Sequence, residues 1–315
     1  MREFIRRWTL AISMMAGASS YFILSWLPLG GGMRRWLLQG VGVVQPVLIF
    51  LMLFLTFCRV NPSQMRLCRW QLWNLLLQAG MFALLCLVLV IFPLTPLRPV
   101  IEGALLCFIC PTATAAVVVT SKLGGRAGTT TAYTLLINLG VAILVPLLVP
   151  LAHPQAGMGF AHAFSMILSK VFPLLLCPIV AAELLRRLSP SLTGRLASFR
   201  DLPFHLWAAA LALALAVTTR SLVTSHVSLA LAGGIALASL LACIIQFAVG
   251  RMAGRKYGDP ISGAQSCGQK NTVFAIWMGY TFLTPVTALA GGFYSIWHNV
   301  YNSWQLAQMR KRNCQ

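Results

Sequence analysis

The stretch "SGAQSCGQKNTVFAIWMGY", residues 262–280, decides how this chain is read. Apolar sequence lies downstream of it and another apolar run precedes the basic loop just upstream, yet Lys270 stands inside it, next to Gln265, Ser266, Gln269, Asn271 and Thr272. No acid lies within the stretch to balance the lysine. A lysine at the centre of a membrane helix costs roughly 2.5–3.5 kcal/mol to insert. A chain that keeps one there needs a physical reason for it.

The composition makes the membrane setting concrete. The 315 residues are 58% hydrophobic and 9% charged, with a mean hydropathy of +0.80. Long apolar runs recur over the whole length, the signature of a multi-pass α-helical membrane protein. They do not alternate with a period of two, which disfavours a β-barrel. The net charge of +19 does not imply a nucleic-acid partner. The cations lie between the apolar runs, not on one binding face, so the partner they indicate is the lipid bilayer.

The apolar runs predict ten spans, at 9–28, 41–58, 73–94, 100–120, 128–150, 163–185, 203–219, 228–249, 260–281 and 285–306. Alternate connections then divide the Lys and Arg residues 18 to 4, with Lys170 and Lys270 inside spans. Cytoplasmic loops are enriched in these residues. The split therefore predicts cytoplasmic N- and C-termini in a multi-pass protein of the cell inner membrane. The start "MREFIRRW", with "AGA" at 16–18, has signal-peptide features, but its apolar stretch is long for a signal core and is read as the first span. Cys107 and Cys110 form a CxxC without His or acid partners. They are read as small apolar filler, and no disulfide framework, metal site or cofactor is expected.

Five spans that start inside end outside, so two sets of five form an inverted repeat, a common plan of secondary transporters. The halves are 1–150 and 163–306, joined by 151–162 and followed by a basic tail at 307–315. The same ordinal span is interrupted in both. The fourth carries Pro111, Thr112 and Thr114 near its middle, and the ninth carries Gly263, Gly268 and the polar cluster. Proline removes a backbone donor and glycine weakens a helix. Irregular backbone at membrane depth is tolerated where it is buried in protein or lines a wet cavity. Matched interruptions point to a binding site at the midplane.

Other polar residues are candidates to face these breaks. Thr130, Thr134 and Asn138 recur every four residues on one side of the fifth span. Gln71, Asn74 and Gln78 form a similar stripe in the third, and either stripe can equally be interhelical glue. Lys170, near the start of its span, can snorkel. His298 and Asn299 lie in the tenth span, where a lone histidine is more often a hydrogen-bonding residue than a catalyst. Lys270 is too deep to snorkel, so backbone carbonyls, side-chain amides or a bound anion must hold its charge. A lysine withdrawn from water can also lose its proton, which makes the proton a candidate coupling ion.

At these residues the sequence resembles the bile acid:sodium symporter family, over nearly the whole chain. The family's helix-four run Cys-Pro-Gly-Gly-Thr-Ala-Ser-Asn is matched by Cys110, Pro111, Thr112, Ala113, Thr114, Ala115, Ala116 and Val117. Its helix-nine Glu-x-Gly-x-Gln-Asn is matched by residues 266–271, and its Ser-x-Trp-His-Asn is intact at 295–299. "SKVFPLLLCPIV", with Lys170, is similar to its sixth helix. The resemblance implies ten spans, two crossover helices and a core (spans 3–5 and 8–10) moving against a panel (spans 1, 2, 6 and 7).

The departures carry the functional reading. In the family the Ser-Asn pair of helix four and the Glu and Gln of helix nine help bind two sodium ions. Here those positions are Ala116, Val117, Ser266 and Lys270, while Gln78, Thr130 and Thr134 keep matching oxygens. Hard cations want oxygen ligands, carboxylates above all. The expectation is a secondary transporter of a small organic anion, independent of sodium, with Lys270 as a built-in cation. The alternatives are Lys270 pairing the substrate directly, ordinary sodium-coupled symport of an organic anion or bile acid, and a non-translocating membrane sensor. An intramembrane enzyme is disfavoured, since the sequence has no HExxH, no paired acids and no convincing Ser/His pair, and no Walker-type loop suggests ATP drive.

Overall fold

The computed structural model describes residues 2–28, 30–59, 65–154, 157–199, 202–225 and 227–313. Gln155 and Ala156 of the joining segment, and the charged pair Arg200 and Asp201, lie outside the described residues. The described chain is all-α. Helices α1 (Arg2–Trp26), α2 (Gly31–Arg59) and α3 (Arg69–Ile91) are followed by two short ones, α4 (Arg98–Ile109) and α5 (Ala115–Lys122). Then come α6 (Ala127–Ala152), α7 (Phe160–Leu188), α8 (Pro190–Ser198), α9 (Leu202–Thr224) and α10 (Leu229–Lys256). Two further short helices, α11 (Pro260–Gly268) and α12 (Thr272–Phe282), precede α13 (Leu289–Asn313). Among the described residues six helices are long and apolar enough to cross a membrane: α2, α3, α6, α7, residues 205–224 of α9, and α10.

Helices occupy each of the ten expected ranges, with two of the ranges split. The fourth range is broken between α4 and α5, the ninth between α11 and α12. Both breaks have a local cause. Pro111 follows the end of α4 at Cys110 and cannot donate a helical hydrogen bond. At Gly268 the chain leaves α11 into extended backbone at Gln269. Helix α8 is an addition to the expected plan. It starts on Pro190 at a first-turn position, where a missing N–H costs nothing.

The packing falls into two groups. In one, α10 lies against α11, α4, α13 and α3, while α3 also packs on α4 and α6. In the other, α1 packs on α9, and α2 on α7 and α9. The groups meet where α6 touches α7, where α12 lies on α2 and α9, and where α13 lies on α9. Helices α10 and α11 approach each other backbone to backbone. A Cβ on Gly263 would lie 2.3 Å from the Gly250 carbonyl oxygen and 2.9 Å from the Gly254 Cα. Gly250 and Gly254 are four apart, the small-xxx-small spacing that lets membrane helices touch backbone to backbone. This contact sets α11 against α10 directly before the break that carries Lys270.

The far ends of the two broken segments are anchored by buried acids. Glu102 of α4 is 1% exposed. It accepts from Arg98 at 2.9 Å and from Thr287 at 2.8 Å, and its carboxylate lies 2.8 Å from His153 Nδ1. Asp259, at the start of α11, accepts from Thr129 of α6 at 2.8 Å. In each case an acid of one broken segment takes a threonine hydroxyl near the start of the helix that follows the other. Buried charge is tolerated when it is hydrogen-bonded in this way.

Candidate functional site

The two breaks cross and pair. Ala113 N–H donates to the Gln269 carbonyl at 2.8 Å, and Asn271 N–H donates to the Pro111 carbonyl at 2.8 Å. Thr112 and Lys270 face each other across this antiparallel bridge. Their side chains then repeat one geometry. Thr112 Oγ1 donates to the Ser266 carbonyl at 2.6 Å, and Lys270 Nζ donates to the Phe108 carbonyl at 3.3 Å. Each donor therefore reaches the carbonyl four residues before its counterpart in the other break. Buried backbone groups freed by the interruptions need partners, and here each break supplies them to the other.

The ends of the half-helices set the electrostatics. Helices α4 and α11 bring their C-termini to the crossing, where carbonyl oxygens carry partial negative charge. Phe108 lies in the last turn of α4, so the Lys270 ammonium sits where a cation is favoured. Helices α5 and α12 begin at the same crossing with their N-termini, which favour anions. Asn271 caps α12, its Oδ1 accepting from Phe274 N–H at 3.2 Å, whereas the Thr114 side chain makes no cap bond to α5.

Lys270 is 1% exposed. The titratable groups in electrostatic range of it are four thiols, Cys107 and Cys110 of α4, Cys243 of α10 and Cys267 of α11, with no carboxylate among them. Cys110 also donates from Sγ to the Asn271 carbonyl at 2.8 Å. Cys107 and Cys110, read from the sequence as small apolar filler, are both buried. Of the three supports expected for Lys270, the one seen is a backbone carbonyl; its Nζ makes no hydrogen bond to a side-chain amide among the described residues.

The other expected residues divide into several places. Gln78 Nε2 reaches the Cys267 carbonyl at 3.4 Å, and Asn74 reaches the Gly263 carbonyl at 3.0 Å. Gln71 bonds the Thr129 carbonyl at 2.9 Å. The third-span stripe therefore ties α3 to α11 and α6, and Gln78 brings it to the break. Thr130 instead bonds Thr120 at 3.3 Å and Thr134 bonds its own helix. Among the described residues neither hydroxyl, nor buried Asn138, makes a hydrogen bond to Lys270. Ser266 Oγ, Gln269 Oε1 and Gln78 Oε1 are buried without a hydrogen-bond partner. Thr272 follows at the start of α12, its N–H on the Lys270 carbonyl at 3.0 Å. Lys170 of α7 is exposed and lies over the Phe282 ring at 5.7 Å.

On α13, His298 Nε2 lies 2.9 Å from Asn299 Nδ2, which also donates to the Ser295 carbonyl at 2.7 Å. Gln265 Nε2 donates to Asn302 Oδ1 at 3.0 Å and to Gln305 at 2.8 Å. Two members of this region escaped the sequence reading. Gln246 Nε2 donates to the Cys107 carbonyl and to Tyr294 OH, both at 3.1 Å. Tyr294 OH donates onward to the Gly268 carbonyl at 2.8 Å. A signal was present: Gln246 is a lone amide in the apolar run "LLACIIQFAVG".

No protein-family model matches this chain, and no curated protein matches it in sequence.

Proposed function

We propose that the protein is a secondary transporter of a small organic anion, built from ten spans in two inverted repeats, and that it works without sodium. The paired crossing of the two breaks carries this reading. Each break donates one backbone N–H to the other, and each crossing side chain reaches the matching carbonyl of the other. Such two-fold matching is what an inverted repeat produces. The mirrored anchors at Glu102 and Asp259 support it as well. The resemblance to the bile acid:sodium symporter family agrees with this arrangement.

In this reading Lys270 is the resident cation. Its ammonium interacts with the C-terminal carbonyls of α4, a type of site that binds sodium in transporters with broken helices. The anion is attracted from the other side, by the N-termini of α5 and α12 and by the ammonium itself. Thr114, Asn271 and His298–Asn299 are the polar groups available to orient it. Movement of the group containing α3–α6 and α10–α13 against α1, α2, α7 and α9 exposes the crossing alternately to the two sides of the inner membrane, with both termini cytoplasmic. Gain and loss of a proton at Lys270 is the coupling event.

The test is uptake of radiolabelled organic anions, bile acids among them, into proteoliposomes. Uptake of at least one anion well above protein-free vesicles, and equal in sodium and potassium buffers, is the expected result. Binding without uptake would identify a sensor, and uptake that needs sodium would restore ordinary symport.

A further inference from the structure

Side-chain hydrogen bonds join the two packing groups at both ends of α12. Near its start, Gln45 of α2 donates from Nε2 to the Val273 carbonyl at 3.3 Å. Near its end, Arg220 of α9 donates from Nη1 to the Tyr280 hydroxyl at 2.7 Å. Lys170 of α7 adds a third contact, with Nζ 5.7 Å from the centroid of the Phe282 ring. That distance is within cation–π range. Tyr280 and Phe282 both lie in the last turn of α12, about 12 Å along the axis from its start at Thr272 and the crossing. Two cations from two helices of one group thus meet the same turn of the other.

Among the described residues neither cation has an acid within pairing distance. The ion pairs there are those of Glu102 with Arg98 and His153, and of Glu183 with Arg186 and Arg187. Asp259 accepts from Thr129. Arg220 and Lys170 rest instead on a neutral hydroxyl and on a ring face. The C-terminal end of α12 favours cations, which keeps them there while no anion is near. Arg220 is half-buried and Lys170 exposed, so neither is sealed inside the protein. A guanidinium and a carboxylate form two parallel hydrogen bonds between opposite charges, which a phenol with its single oxygen cannot match. A cation–π contact at an exposed position is likewise a weak tie.

We infer that Arg220 and Lys170 form an anion-operated latch between the two groups: the carboxylate of an arriving organic anion replaces Tyr280 and Phe282 as partner of these cations, and the groups are then free to part at that end of α12. The inference rests on the proposal that the protein carries organic anions by moving one group against the other. It adds an anion contact separate from the crossing. A ligand shifts a conformational equilibrium only through a difference in its affinity for the two states. The latch supplies that difference. An anion pairs with the cations of α9 and α7 once their ties to α12 are broken, so it favours the parted state. A neutral solute of the same shape has nothing to exchange and leaves the latch shut.

The experiment is initial uptake of radiolabelled cholate and benzoate into proteoliposomes holding the full-length protein, over a range of anion concentrations, with thermal unfolding as the check on folding. Arg220→Gln and Tyr280→Phe each remove one partner of the same hydrogen bond. If that bond is merely structural, both variants shift KM the same way. The latch predicts opposite shifts. KM is expected roughly tenfold higher in Arg220→Gln, which has lost the anion's partner, and roughly threefold lower in Tyr280→Phe, whose arginine no longer has to leave a hydroxyl. Lys170→Gln is expected to raise KM several-fold. Shifts of the same sign in Arg220→Gln and Tyr280→Phe, or none, would overturn the latch and leave anion transport standing. If Arg220→Gln does not fold, Lys170→Gln takes its place in the comparison. No uptake of either anion by the wild type would remove the transport reading and the latch together.

Discussion

Replacing Lys270 with glutamine is expected to leave a folded protein that has lost most of its anion uptake. The side chain is fully enclosed and makes a hydrogen bond to the Phe108 carbonyl. Glutamine has a donor that can approach the same carbonyl, so the crossing keeps its two backbone bonds. What is lost is the positive charge. A hydrogen bond involving a charged group contributes about 1.5–3 kcal/mol, which corresponds to roughly a ten- to hundredfold change in rate or affinity. The measurement is initial uptake into proteoliposomes at equal protein density, with thermal unfolding as the check on folding. Lys270→Arg keeps the charge but brings a larger, planar group that does not release its proton under ordinary conditions. It is expected to fail as well. Wild-type uptake in Lys270→Gln would remove the lysine from the mechanism.

The second large effect is expected at the α10–α11 contact. A methyl group at Gly263 would meet the backbone of α10, at 2.3 Å from the Gly250 carbonyl oxygen. Backbone cannot swing aside as a flexible side chain does, so the helices must separate. Overpacking costs typically about 1–3 kcal/mol, and Gly263→Ala is expected at the upper end, with Gly263→Val beyond it. Because α11 leads directly into Gln269 and Lys270, the shift also disturbs the crossing. Gly233→Ala on α10 is the control, since its Cβ would meet no atom within 4 Å. Thermal unfolding in one detergent compares the three. Gly263→Ala with an unchanged midpoint would contradict the close packing described above.

Much of this architecture was legible in the sequence because the membrane enforces simple rules. Length and apolarity located the helices, and Pro111 and Gly268 marked where two of them break. The pairing of the breaks was not legible, since it joins residues as far apart in sequence as Thr112 and Lys270 and depends on which carbonyls the interruptions release. Lys270 announced itself by its charge. Its actual partner did not, because the Phe108 carbonyl has no side-chain signature. The resemblance implies that Thr130 and Thr134 keep the hydroxyls of the helix-five part of the site, and the hydrogen bonds they make in this structure are local ones. Threonine hydroxyls on a helix readily bond within their own neighbourhood, and here Thr130 turns to Thr120 while Thr134 bonds the Thr130 carbonyl. The GxxxG spacing of Gly250 and Gly254 was readable but gives no partner by itself, because Gly263 lies on a different helix.

The central claim is that an ammonium has taken the role of sodium. Thermal unfolding of the wild type, titrated with sodium against potassium at matched ionic strength, tests it without any substrate. The double variant Ser266→Glu/Lys270→Gln serves as comparator, since it restores the carboxylate and the glutamine that the resembling family has at these positions. A ligand that binds only the folded state stabilises it as its concentration rises. The wild type is predicted to respond equally to the two salts, and the double variant to be stabilised by sodium alone. Selective stabilisation of the wild type by sodium would contradict the account.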